Sequence, residues 1–313
     1  MTTMTRPRRT FSPPVGGAGR RPRRIVRLSA GMALRLVVLF GFAVFCVVPL
    51  IWLVLAPTKT DRQLLDDNPL SFGSFDRMAL AWSHLADYND GVMYRWMLNS
   101  VSYTIVPLII SVVVALLAGY ALATMRFRGR QLILIATLLA MVLPPTAVVL
   151  PLFLEMNTFN LTNTAASVIL PAAFYPFGVY LAFIYFATSL PKELLEAARI
   201  DGCSELRTFV HIALPLAKPI VSLIAFFSFV ANWNNYFLPY VMLAEESKYN
   251  LPVGLGTLMS STPALKPAGG TILPITYPEA AMAGLIVIAP VALLFIIFQR
   301  FLVGGVLSGA SKG

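Results

Sequence analysis

Charge is scarce in this sequence, and so are cysteine and histidine. Of 313 residues only 12% are charged while 58% are hydrophobic, whereas soluble domains carry about 25% charged residues. A chain of this length has too little interior to hide so much apolar surface from water, so lipid must serve as part of its solvent. The two cysteines, Cys46 and Cys203, lie far apart and make no disulfide scaffold. His84 and His211 have no partner at metal-ligand spacing, which leaves neither a metal centre nor a base for an embedded enzyme. No GxxxxGK(S/T) phosphate loop occurs, so ATP is not bound by that route. No charged residue falls near the middle of an apolar run, with Glu155 and Glu279 both towards outer boundaries. A carrier working alone on a midplane carboxylate is disfavoured.

What the sequence does have is long apolar runs. The uncharged stretches 36–56, 96–125, 131–154, 156–191, 219–244 and 280–299 each reach the roughly 20 residues that a bilayer core requires. The fourth is too short for two spans and a turn and is read as one kinked span. The expectation is an all-α, polytopic membrane protein with six transmembrane helices. Pro144, Pro145 and Pro151 in the third run, and Pro171 and Pro176 in the fourth, predict kinks. The net charge of +10 is a matter of sidedness. With the N-terminus inside, 18 of the 24 Lys and Arg fall on the inner side, and 10 of the 14 Asp and Glu on the outer. The bias predicts both termini in the cytoplasm and makes the basic residues topology determinants rather than a nucleic-acid surface. Residues 1–33 read as a basic flexible arm. Its Arg8-Arg9-Thr10-Phe11 superficially matches an export signal, but the apolar run begins too far downstream. Residues 34–303 form the membrane domain, with outer loops at 58–95 and 245–278, and residues 304–313 a cytoplasmic tail. Tyr94 and Trp96 read as interfacial anchors.

The inner segment between spans four and five, residues 191–219, reads PKELLEAARIDGCSELRTFVHIALPLAKP. Pro191 suits the first turn of a short helix, and Glu193 and Glu196 suit its electropositive early end. Leu194, Leu195 and Ala198 can share a face, and Gly202 can take a positive φ that stops the helix. Ser204-Glu205 can open a second helix through His211, with Pro215 and Pro219 marking the return to the membrane. Ala197 and Ala198 are small enough for another backbone to approach. A short amphipathic helix on a rigid scaffold can seat in a groove of a soluble partner and move with it; an ordinary surface helix is the alternative.

Glu196-Ala197-Ala198, then Gly202 after three residues and Ile212-Ala213-Leu214-Pro215 after nine more, resembles the EAA loop of binding-protein-dependent ABC importer permeases. In that family this loop, 191–215 here, is the coupling helix received by a cytoplasmic ATPase. The resemblance implies that Glu196, Ala197 and Gly202 shape the contact, while Ile212, Leu214 and Pro215 set the return into the bilayer. The likeness continues in Asn99-Ser100, in Gly119-Tyr120-Ala121-Leu122-Ala123 with Arg126-Phe127-Arg128-Gly129, and in Asn232-Trp233-Asn234-Asn235-Tyr236-Phe237-Leu238-Pro239. The ending QRFLVGGVLSGASKG is similar to that of the second, six-span permease of maltose-type transporters. These motifs imply a carbohydrate importer of the bacterial inner membrane. Its partners would be a second homologous permease, two ATPase subunits holding ATP and magnesium, and an extracytoplasmic solute-binding protein. This chain would hold no cofactor. A permease for glycerol phosphate is the related alternative.

Sugar recognition needs hydroxyl partners and flat apolar faces. Asn232, Trp233, Asn234 and Asn235 offer both, and Tyr103, Tyr175 and Tyr180 are weaker lining candidates. Hydrogen bonds between helices are the competing role for the same residues. The loop 245–278 is read as a connector or as a reach towards the binding protein.

Overall fold

The computed structural model describes residues 30–260 and 275–310. The arm, the loop tip and the last three residues lie outside them. Every regular element among the described residues is helical. The chain divides into two units, Met1–Val48 and Pro49–Gly313. The described part of the first belongs to α1 (Ala30–Leu55), whose Phe40, Phe42 and Phe45 are all more than half exposed. Such a helix is stable only where lipid or protein surrounds it.

The second unit continues with α2 (Asp61–Asp66), α3 (Phe75–Ala86), α4 (Val92–Thr124), α5 (Arg130–Val142), α6 (Pro145–Thr158), α7 (Ala165–Ala173) and α8 (Pro176–Thr188). There follow α9 (Lys192–Ile200), α10 (Glu205–Thr208), a π-helical turn Phe209–Ala213, α11 (Leu214–Leu216), α12 (Lys218–Trp233), α13 (Phe237–Met242), α14 (Leu251–Ser260) and α15 (Tyr277–Ala310). Four helical stretches are long and apolar enough to cross a membrane, and six if each of two bent pairs counts as one span. The expected fold class stands.

α4 is the axis of this unit. Its 33 residues run about 50 Å, with α7, α8 and α12 packed along it. Small residues allow the approach: a Cβ on Gly119 would come within 2.7 Å of the Phe183 amide nitrogen, and Ala115 and Ala182 are fully buried beside it. Without a hydrophobic drive between helices in lipid, close backbone packing of this kind is what associates them.

The prolines do more than kink. α5 and α6 meet at 107°, because Leu143 and Pro144 are both extended and Pro145 starts a new helix. Tyr175, held off the helical region by Pro176, separates α7 from α8. The stretch Glu205–Leu216 meets α12 at 81°, at Ala217.

Several expectations change in detail. Span five does not run to 244: α12 ends at Trp233, and α13 follows after Asn234–Tyr236. The loop 58–95 is largely helical. Thr60 caps α2 in a reciprocal capping box with Gln63, and Ser74 caps α3. The first part of 245–278 is a helix too, α14, with Leu251, Val253 and Leu255 buried. Trp96 is no interfacial anchor. It is fully buried against Leu251 and Leu255, and its indole N–H donates to the Glu246 carbonyl at 2.8 Å. His84 has a specific partner, with Nδ1 2.9 Å from the buried Glu279 carboxylate. Glu279 also accepts from the Thr276 amide and hydroxyl, so α3 is tied to the start of α15. The final helix continues through Ala310, past the expected start of the tail at 304.

Candidate functional site

The segment 191–219 folds as its residue types dictate, one position displaced. Pro191 is the N-cap rather than the first helical residue, and α9 begins at Lys192. Glu193 sits in the first turn and Arg199 in the last, each complementing the helix dipole. Gly202 takes φ +75°. Its amide donates to the Arg199 carbonyl at 3.1 Å, and the Cys203 amide to Ala198 at 2.9 Å; the pair is a Schellman stop. Ser204 then caps α10, accepting from the Arg207 amide.

α9 has two apolar sides. Leu195 and Ala198 are both buried, Leu195 in a cluster with Tyr120, Phe186, Leu190 and Phe209. Leu194 was expected on that face but points away from it and is 43% exposed. It forms instead an outward strip at threefold spacing with Ala197 and Ile200, the last 86% exposed. Glu196 is exposed beside this strip.

A carboxylate clamp missing from the sequence reading ties the loop to the scaffold. Glu205 Oε1 accepts from Arg199 Nε at 3.0 Å, and Oε2 accepts from the Tyr120 hydroxyl at 3.2 Å. Arg199 Nη2 also donates to the Thr124 carbonyl at 3.4 Å, and Arg130 Nε to that of Leu122 at 2.6 Å. The two guanidinium groups thus cap the C-terminus of α4. The hydrogen bond to Glu205 raises the Arg199 pKa above its already high value. Tyr120 packs on Phe186 and Phe209 with ring centroids 5.6 and 5.2 Å away. Arg126, Arg130, Lys192, Glu196, Arg199 and Glu205 line an open polar hollow of about 690 Å³ between α9 and the α4–α5 turn.

The return to the membrane passes through the π-helical turn. Ala213 is buried, Ile212 and Leu214 are half-buried, and Pro215 is exposed. π turns interrupt helices at functional points more often than elsewhere. The second group of candidates sits at the far end of α12, Asn232 being about 21 Å along the helix from Lys218. Asn232 is buried and donates to Ser228 Oγ at 3.3 Å, which lies 3.0 Å from Ser111 Oγ on α4. Trp233 stacks on Phe229 and donates to the Val287 carbonyl at 2.9 Å. The Asn235 carbonyl accepts from Asn250 at 2.7 Å. Asn234 is exposed. Tyr103 is buried, its hydroxyl donating to the Lys248 carbonyl at 3.1 Å. Tyr175 and Tyr180 are half-buried.

Comparison with known proteins brings in relatives. A family model described as the inner membrane component of binding-protein-dependent transport systems matches residues 111–307. The chain is 34% identical over 277 residues to the arabinooligosaccharides transport system permease protein AraQ of Halalkalibacterium halodurans, covering 88% of this chain and 94% of that one. It is 30% identical over 275 residues to the diacetylchitobiose uptake system permease protein NgcG of Streptomyces coelicolor, covering 87% and 86%. A chain in the crystal structure of a bacterial ABC transporter involved in import of the acidic polysaccharide alginate has the same fold, with a TM-score of 0.72 at 24% identity, over 86% of this chain and 95% of that one.

Proposed function

The chain belongs to the family of inner-membrane components of binding-protein-dependent transport systems, and from that premise we propose that it carries an oligosaccharide or sugar inward, driven by ATP on partner subunits. As a permease subunit it spans the membrane several times and is not an enzyme. The sugar assignment is supported by the relatives that transport arabinooligosaccharides and diacetylchitobiose.

The observation that carries the mechanism is the two-sided α9. One face is built into this chain through Leu195 and Ala198. The other offers Leu194, Ala197 and Ile200, all exposed, beside Glu196. A strip of that spacing fits a groove in a protein partner. In this reading the partner is one of two ATPase subunits, which bind ATP and magnesium, and α9 passes their closure to α4 through the Glu205 clamp. A second, homologous permease completes the path, and an extracytoplasmic binding protein delivers the sugar. In this reading α9 and both termini lie in the cytoplasm, which the charge bias supports. Asn232 is engaged by Ser228, which meets Ser111 on α4, and Trp233 ties α12 to α15, which leaves Asn234, the exposed member of the group, for a sugar hydroxyl.

The test is uptake by the reconstituted complex. Glu196→Lys should abolish most ATP-driven sugar uptake while the protein still inserts and assembles its spans. Undiminished uptake in that variant would remove the coupling role.

A further inference from the structure

The polar hollow beside α9 carries more positive charge than its own carboxylates use. Arg126, Arg130, Lys192 and Arg199 line it together with Glu196 and Glu205, four cations against two anions. Glu205 is already engaged through both oxygens, by Arg199 and Tyr120. Arg130 spends one donor on the last carbonyls of α4, Arg199 spends one there and one on Glu205, and both keep the rest. Arg126 and Lys192 make no hydrogen bond or ion pair among the described residues. Unneutralised cations gathered round a hollow of about 690 Å³ mark it for an anion, and a phosphate ester has the oxygens to meet several guanidinium groups at once.

The remaining walls say which phosphate. Ala123, Phe186, Ala187 and Leu190 also line the hollow, so part of it is apolar. α5 starts at its rim with Arg130 and carries Leu132, Ile133, Ile135 and Leu139, all exposed. A free phosphate would use the charges alone. A ligand with a phosphate head and acyl chains uses both the charges and the apolar surface rising beside them. Basic hollows between membrane helices at the leaflet boundary bind anionic lipid headgroups. We propose that the hollow is a binding site for one anionic glycerophospholipid, its phosphate held by Arg126, Lys192 and the spare donors of Arg130 and Arg199, and its chains lying along α5. Only the choice of leaflet rests on the orientation proposed above. Because the hollow lies between the α4–α5 turn and α9, the bound lipid braces α9 against the scaffold.

The experiment measures lipid retention by the full chain purified in neutral detergent, with fluorescent phosphatidylglycerol and phosphatidylcholine as probes. Retention requires no uptake, so it reads out independently of whether the chain imports sugar. Wild type should retain phosphatidylglycerol in preference to phosphatidylcholine. Arg126→Gln combined with Lys192→Gln should weaken that retention roughly 25-fold, since each cation at a lipid surface contributes about fivefold. The charge-keeping pair Arg126→Lys and Lys192→Arg should restore it, which separates charge from folding. Unchanged phosphatidylglycerol retention in the glutamine pair would overturn the proposal. So would displacement of the lipid by equal concentrations of inorganic phosphate, which would make this a free-phosphate site. Displacement by added ATPase subunit would also overturn it, making the hollow a protein interface.

Discussion

At Gly202 the backbone angle decides which side chains the loop accepts. Among the described residues nothing lies within 4 Å of a Cβ built there, so a larger residue meets no described neighbour. The cost is conformational, about 1–2 kcal/mol for an ordinary L-residue at this φ and more for a β-branched one. Gly202→Val should therefore impair ATP-driven uptake, whereas Gly202→Asn should largely preserve it, since Asn tolerates the left-handed region. A steric role for Gly202 would make both variants fail alike in an uptake assay. The stop at Gly202 was legible because it depends on neighbours in sequence. The Tyr120–Glu205 contact was not, because it joins residues 85 apart. A double-mutant cycle with Tyr120→Phe and Glu205→Gln, read by thermal unfolding in detergent, should give a coupling energy of about 0.5–1.5 kcal/mol. Independent, additive effects would mean that the clamp does not act as one unit.

Among the elements, sequence reading did best where one helix meets lipid throughout and worst where helices meet each other. The apolar runs located the spans because lipid imposes a length and a composition. The same reading took α14 for loop and Trp96 for an interfacial anchor. Composition says that a tryptophan is amphipathic, but not that the Glu246 carbonyl, 150 residues further on, and the helix after it will cover it. Likewise the prolines announced bends, but the 107° between α5 and α6 follows from two consecutive extended residues, which a proline count does not reveal. The packing of α4 on α8 makes a prediction at this scale. Gly119→Leu forces bulk between backbones already in contact, an overpacking that costs about 1–3 kcal/mol or more. It should lower the thermal midpoint of the detergent-solubilised protein, and an unchanged midpoint would mean that the two helices are free to separate.

At the scale of the whole molecule, α9 is fixed to the axis that α4 forms. α9 is clamped through Glu205 and Arg199 to the end of α4, and α4 packs against three further membrane helices. Under the proposed coupling role, that footing would carry a displacement of α9 into the scaffold instead of losing it in a flexible loop. The Glu196–Pro215 spacing was legible, but the footing of α9 on α4 was not, because that footing is tertiary. The most direct measurement is a crosslink. With Cys46 and Cys203 replaced, a single cysteine at Ala197 in the assembled complex should crosslink to the ATPase subunit and be protected from water-soluble thiol reagent when that subunit is bound. If the same cysteine is labelled from the extracytoplasmic side of sealed vesicles, or never crosslinks to the ATPase, α9 is not the coupling helix.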